Sequence, residues 1–130
     1  MLQTGIKGEA RTTVREENTA AAHASGALPV FATPAMIGLM EQAAHDSLLP
    51  YLEAGQGSVG TRLDVRHLAA TPLGMEVRAE CELIEIDRRR LVFRVEAFDA
   101  KEKIGEGTHE RFIVDTAKFM ARTADKTHIF

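Results

Sequence analysis

Residues 33 to 50, TPAMIGLMEQAAHDSLLP, decide the fold. Thr33 can cap a helix whose first position is Pro34, where a missing N–H would have had no intrahelical acceptor in any case. Met36, Ile37, Leu39, Met40, Ala43, Ala44 and Leu48 cover more of the helix than one narrow stripe, which predicts a helix enclosed on most sides and running to about Leu49. Pro50 disfavours the helical conformation at Leu49 and ends or kinks the helix there. The segment contains Glu41, His45 and Asp46 and falls short of the roughly 20 apolar residues a bilayer crossing requires. It reads as a buried helix.

Upstream, Ile6 to Val14 alternates with a weak period of two, a first strand. NTAAAHASGAL, residues 18 to 28, is small and polar without a period, a loop or short helical turn. Downstream, after the loop EAGQG at 53 to 57, extended segments follow one another. Val59, Thr61, Leu63, Val65 and His67 share one face of the first, with Gly60, Arg62, Asp64 and Arg66 on the other. After the turn TPLG, Val77, Ala79, Cys81 and Leu83 alternate with charged residues until Ile84 and Ile86 switch parity, which predicts a bulge near Leu83. Leu91 to Ala97 and Ile104 to Val114 complete an antiparallel meander. The order is therefore strand, helix, long loop, four strands. A lone enclosed helix needs apolar surface around it, and an antiparallel sheet of about five strands wrapped around one long central helix supplies it. This α+β arrangement is the hotdog fold, although element order alone also fits other α+β folds.

At 130 residues the chain fits a single domain, 1–130, with one core. Its 45% hydrophobic and 27% charged residues describe a globular protein, and a net charge of -3 with scattered Lys and Arg argues against nucleic acid as a partner. The start, MLQTGIKGEA, lacks the pattern of a secretory signal, so a cytoplasmic location and no membrane association are expected. The one cysteine, Cys81, sits in a strand-like run and reads as a packed, inert thiol. His23, His45, His109 and His128 match no metal-ligand spacing, and neither HExxH nor CxxC occurs, so no metal site is expected. Phosphate-cradling GxxxxGK[ST] and GxGxxG motifs are absent as well.

Six blocks carry a resemblance. They are Val30-Phe31-Ala32-Thr33, Gly38-Leu39-Met40-Glu41, Pro50-Tyr51-Leu52-Glu53, Gly60-Thr61, His67-Leu68-Ala69-Ala70-Thr71-Pro72-Leu73-Gly74 and Ile104-Gly105-Glu106-Gly107-Thr108-His109-Glu110-Arg111. In order and separation they resemble the fluoroacetyl-CoA thioesterase group of hotdog proteins. The resemblance implies a catalytic set of Thr33, Glu41 and His67, with Gly60 and Arg111 as further substrate-site positions. It also implies an acyl-CoA substrate, hydrolysis without a cofactor, and a homodimer or higher homo-oligomer whose site is shared between two subunits.

The residues can be weighed on their own chemistry. A carboxylate at Glu41, on a largely apolar helix, is costly unless paired, so it is either a structural partner of an Arg or backbone group or a working acid. His67 lies on the apolar-facing side of its strand, where a hydrogen-bonded core histidine is the commoner outcome. Imidazole can nonetheless exchange a proton near neutral pH while a carboxylate such as Glu41 orients it. An N-cap accounts for Thr33 fully, yet its hydroxyl could attack a thioester or hold a water if a base activates it. Gly60 would allow close approach of substrate to a backbone N–H donor, or would mark a strand bulge. Arg111, on a late strand, reads more often as a solvated charge.

The main expectation is an acyl-CoA thioesterase acting on a small or medium acyl group. The rivals are a non-catalytic acyl-CoA binding or sensing module and a hotdog hydratase or dehydratase. One departure stands out. Fluoroacetyl-specific relatives place bulky aromatic residues just before the Val30–Thr33 block, whereas Ala20 to Leu28 here, AAAHASGAL, has none, which implies a broader or larger acyl preference.

Overall fold

The computed structural model describes residues 1–127, so His128 lies outside the described residues. In chain order the elements are β1 (Lys7–Thr13), α1 (Thr33–Leu48), β2 (Gln56–His67), β3 (Glu76–Asp87), β4 (Arg90–Phe98), β5 (Lys103–Asp115) and α2 (Thr116–Ala124), with short 3-10 turns at Glu16–Asn18, Leu49–Tyr51 and Asp125–Thr127. The strands form one antiparallel sheet in the order β1-β3-β4-β5-β2. Alternation explains the layers: Val77, Ala79, Cys81 and Leu83 of β3 and Leu91, Phe93, Val95 and Ala97 of β4 point inward and are buried, and the residues between them are charged except for Val92. α1 crosses that inner face and contributes Met36, Leu39, Met40, Ala43, Ala44 and Leu48 to the same core. The expected strands and the expected sheet-on-helix arrangement are present, and the parity switch near Leu83 is a register shift between Leu83 and Glu85.

A second shift, between Gly60 and Arg62 of β2, overturns part of the expected alternation. Directly paired residues share a face, and an extra residue in one strand swaps the faces beyond it. Leu63, Val65 and His67 pair with His109, Gly107 and Gly105 and face inward as expected. Thr61 is the extra residue, and on its far side Ser58 and Gly60 pair with Ile113 and Arg111 and face inward too, while Val59 pairs with the outward Phe112. Gly60 and His67, placed on opposite faces by simple alternation, are thus on the same one.

α1 ends about where expected but differs from expectation at its start and along one side. Its N-cap is Ala32, in extended conformation and without a side-chain cap, so Thr33 is the first helical residue rather than the cap and Pro34 follows it in the first turn. At the other end Pro50 does not stop the chain from turning, because Leu49–Tyr51 continues as a 3-10 turn whose first positions tolerate proline. The helix is not enclosed on most sides: Pro34, Gly38, Gln42, His45 and Leu49 form an exposed stripe at helical spacing. On the opposite side α1 is pressed against β1 so closely that a methyl group on Gly8 would lie 2.5 Å from the Ala43 carbonyl and 2.6 Å from Ser47 Cβ. Beside that contact the Cys81 thiol is buried, and burial raises its pKa, consistent with an inert packed thiol.

Beyond the last expected strand, α2 was not anticipated. Asp115 caps it by accepting a hydrogen bond from the Lys118 N–H at 3.0 Å. Among the described residues no helix is long and apolar enough to cross a membrane.

Candidate active site

The site residues fall into two groups along α1. At its start, the Thr33 hydroxyl is free of any capping duty and lies 2.7 Å from Nδ1 of His67. Thr33 is held there because the preceding segment is pinned to its neighbours. The Phe31 N–H donates to the Thr71 carbonyl at 2.9 Å and the Ala32 N–H to the Asn18 carbonyl at 2.9 Å, while the buried Thr71 hydroxyl donates to Asp99 at 2.8 Å. Burial lowers the pKa of His67 below the ordinary imidazole value, with the Ala69 backbone acting in the opposite direction. The lowered pKa favours the neutral ring at physiological pH, in which Nδ1 accepts from the Thr33 hydroxyl or donates to it according to the tautomer. Nε2 itself is buried without a hydrogen-bond partner, an uneven environment of the kind that functional sites tolerate. Thr33 and His67 open into a cleft of about 340 Å³, lined also by Ala20 and Ser25 of the aromatic-free loop and by Val30, Phe31 and Leu68.

A little over two turns along α1, Glu41 belongs to the second group. Its side chain is 39% exposed, and its Oε2 is 3.9 Å from Nη1 of Arg111, an ion-pair distance without a hydrogen bond. Arg111 is not the solvated charge that its strand position suggested. It is 5% exposed, with Nε donating to Ser58 Oγ and Nη2 to the Ser58 carbonyl, both at 2.9 Å. Its Nη1 donates to Nε2 of His109 at 3.1 Å. Since Nε2 accepts, the His109 proton is on Nδ1, which donates to the Arg62 carbonyl at 2.9 Å. Burial first, and then the Arg111 charge, lower the pKa of His109, against the opposing effects of the Arg62 carbonyl and Glu41. The imidazole is neutral and the guanidinium keeps its charge, because even a burial-lowered arginine remains protonated at neutral pH.

Gly60 faces this group. A Cβ at Gly60 would lie 2.6 Å from Glu41 Oε2, 3.1 Å from His109 Cε1 and 3.5 Å from Arg111 Nη1, so glycine is what lets the carboxylate sit against the strand. Both sequence readings of Gly60 hold together: it adjoins the bulge and it gives close approach. Within one chain the site residues are therefore divided. His67 is bonded to Thr33 and not to Glu41, and Glu41 is grouped with Gly60 and Arg111. His109 is the residue that sequence reasoning missed, having weighed it only as a metal ligand. Its position two residues from Arg111 and four from Ile113, on the inward parity of β5, carried the signal.

Comparison with known proteins identifies the family. Residues 14–117 match the family model described as fluoroacetyl-CoA-specific thioesterase. A fluoroacetyl-CoA thioesterase from Streptantibioticus cattleyicolor is 49% identical over 98 residues, covering 75% of this chain and 70% of that protein. A solved structure of the fluoroacetyl-CoA thioesterase FlK superposes with a TM-score of 0.90 at 38% identity, covering 97% of this chain and 98% of the other. A thioesterase-superfamily protein of Thermus thermophilus superposes at 0.91 with 32% identity, covering 98% and 95%. The hotdog fold, with its curled five-stranded sheet on one helix, is thereby confirmed, and the chain belongs to the fluoroacetyl-CoA-specific thioesterase family.

Proposed function

We propose that this protein hydrolyses acyl-CoA thioesters, in a site that two subunits of a homodimer complete. The observation that carries the reading is the 2.7 Å contact between an uncapping Thr33 hydroxyl and a neutral, half-buried His67 at the mouth of a cleft. His67 Nδ1 takes the proton as Thr33, or a water held by it, attacks the thioester carbonyl. Unpaired N–H groups at the start of α1 are donors for the oxygen as it gains negative charge, and CoA leaves as the thiol. The reaction requires no cofactor. A structure of an FlK mutant solved with fluoroacetate and CoA supports a CoA ester as the substrate class; it is 40% identical and covers 91% of this chain and 99% of that one, with a TM-score of 0.85.

Two uncovered surfaces favour the dimer. The edge strand β2 is exposed from Gly60 to Asp64, and the open stripe of α1 lies on the same side, flanked by Glu41. An unpaired edge of this length is usually blunted or covered. Antiparallel pairing of two β2 strands with the two-fold between Leu63 and Asp64 brings Gly60 of one beside His67 of the other. Glu41 of the partner subunit then faces the Thr33–His67 pair, which joins the groups that one chain keeps apart. In that position Glu41 orients the attacking water or stabilises the charged imidazole, with Arg111 fixing the carboxylate.

Because Thr33 makes no capping bond, Thr33→Ala should unfold near the wild-type midpoint yet lose turnover by about 100-fold or more, with Thr33→Ser keeping most of it. Normal turnover in folded Thr33→Ala would remove the hydroxyl from the mechanism. The pH profile tests His67 separately. Its neutral form is the base and its pKa is lowered, so kcat/KM should hold through neutral pH and fall only as the pH drops below the ordinary imidazole value. His67→Ala should abolish that acid limb together with the rate.

Sharing of the site is tested by complementation. Thr33→Ala and Glu41→Gln should each be nearly inactive, but subunits of the two, unfolded and refolded together, should recover roughly a quarter of wild-type turnover, since half of the dimers carry one intact site. No recovery, with mixed dimers demonstrated, would place all the catalytic groups in one chain.

Acyl selectivity follows from the loop residues that line the cleft. Ala20 and Ser25 exclude less water and fill less volume than aromatic side chains would. The ratio of kcat/KM for fluoroacetyl-CoA over acetyl-CoA should not exceed the ratio of their uncatalysed hydrolysis rates, and longer acyl groups should be accepted. A much larger enzymatic ratio would show that selectivity arises elsewhere than in this loop.

A further inference from the structure

Of the block His67 to Gly74 only His67 enters the chemistry above. β2 ends there, and the Leu68 N–H, donating to the Ile104 carbonyl at 2.7 Å, makes the last bond toward β5. Leu68, Ala69 and Ala70 then line the Thr33–His67 cleft, and Thr71 follows them. Thr71 is fully buried, where a valine would fill nearly the same space without needing a partner. Its polar groups tie two distant segments together. The hydroxyl donates to Asp99 Oδ2 at 2.8 Å, and the carbonyl accepts from the Phe31 N–H at 2.9 Å. Asp99 is itself fixed in the β4–β5 turn. Its Oδ1 accepts from the N–H groups of Lys101 at 2.8 Å and Glu102 at 3.0 Å, and its own N–H donates to the Glu102 carbonyl at 2.9 Å. Burial alone would raise the Asp99 pKa, but the Lys101 N–H, the Thr71 hydroxyl and the Glu102 N–H together lower it. The carboxylate is therefore ionised, and its bond to Thr71 is charge-assisted.

We propose that Asp99 and Thr71 are positioning residues for the hydrolysis, holding the Thr33 hydroxyl and the His67 imidazole at reacting distance from a single anchor. The proposal rests on the thioesterase reading above. Both members of the pair hang from Thr71. His67 precedes it by four residues in the chain, and Phe31, bonded to its carbonyl, precedes Thr33 by two. The pair joins segments 34 residues apart, so neither helix nor strand geometry sets its 2.7 Å separation. Along segment 68–75 Thr71 alone makes a side-chain hydrogen bond among the described residues. Without that hydroxyl the backbone bond to Phe31 remains, but the segment loses its tie to the β4–β5 turn and is free to move relative to α1. A displacement of about 1 Å between reacting groups costs on the order of 100-fold in rate. Thr71 and Asp99 are not among the residues lining the cleft, so their loss acts on turnover and not on contacts with the substrate.

The test compares wild type, Thr71→Val, Thr71→Ser and Asp99→Asn as full chains, at a temperature where each is folded by circular dichroism. Thr71→Val keeps the side-chain volume and removes the hydroxyl, and its kcat should fall by roughly 10- to 100-fold with KM nearly unchanged. Thr71→Ser, which lacks a methyl group and keeps the hydroxyl, should be less stable than wild type yet turn over at close to its rate. Asp99→Asn keeps an oxygen for the turn N–H groups and withdraws the acceptor from Thr71, so its kcat should fall as well. The second readout needs no substrate. Burial holds the His67 pKa down, so a loosened segment should admit water and raise it toward the ordinary imidazole value. NMR titration of the ring follows that change, and the acid limb of kcat/KM should move up with it. Wild-type kcat, or an unmoved His67 titration, in folded Thr71→Val and Asp99→Asn overturns the proposal, since a purely structural bond lowers only the unfolding temperature. So does a loss of rate in Thr71→Ser equal to that in Thr71→Val, which would make the methyl group responsible. Should Thr71→Val not fold, Asp99→Asn carries the comparison alone. If wild type hydrolyses no acyl-CoA, the thioesterase reading fails and the His67 titration decides whether Thr71 and Asp99 position the pair.

Discussion

The hydrogen bond from His109 Nδ1 to the Arg62 carbonyl holds the site together, because it is made where β2 carries its extra residue. A regular antiparallel strand points its carbonyls along the sheet toward its neighbour. At a bulge one of them is released, and here the imidazole takes it up. With the bulge fixed, Gly60 and Ser58 turn inward, Ser58 receives the Arg111 guanidinium, and Gly60 leaves room for Glu41. Moving the bulge by one residue would return Gly60 to the outer face and bring a side chain against the carboxylate.

Electrostatics then accounts for the composition of this group. A buried guanidinium costs several kcal/mol unless its donors are satisfied, and Ser58 and His109 satisfy them with neutral acceptors. The balancing charge is left to Glu41 at 3.9 Å, too far for a hydrogen bond. The carboxylate is thus attracted without being consumed in a hydrogen bond, and its side chain stays 39% exposed. At the other group the economy is similar. An N-cap hydroxyl would be spent on backbone N–H groups, whereas Ala32 at the N-cap position leaves the Thr33 hydroxyl for His67.

Both arrangements depend on how α1 is seated. The helix lies against β1 with no space for a side chain at Gly8, so its rotation and depth are set by packing on the buried side. Thr33 and Glu41 are then delivered to two different parts of β2, His67 for the one and Gly60 for the other. The exposed stripe is the cost of that seating, and it falls beside an equally exposed sheet edge.

Local pattern determined much of this in advance. Period-two alternation located the strands, the parity switch located the bulge near Leu83, and the apolar residues after Thr33 located α1 with its buried side. Similarity of short blocks to a known family singled out Thr33, Glu41, His67, Gly60 and Arg111 as candidates, since residue types at fixed separations are visible in one dimension. The bulge at Thr61 was invisible, because Val59, Thr61, Leu63, Val65 and His67 alternate without a break and only pairing with β5 reveals the extra residue. Whether Thr33 caps a helix or meets an imidazole 34 positions away is likewise decided by a contact between distant segments. The burial of Arg111 depends on three partners from two strands and a helix, which no single stretch of sequence contains. Local propensity is written in neighbouring residues, but a side chain's partner is set by register and by the seating of one element on another, and these exist only once the chain has folded.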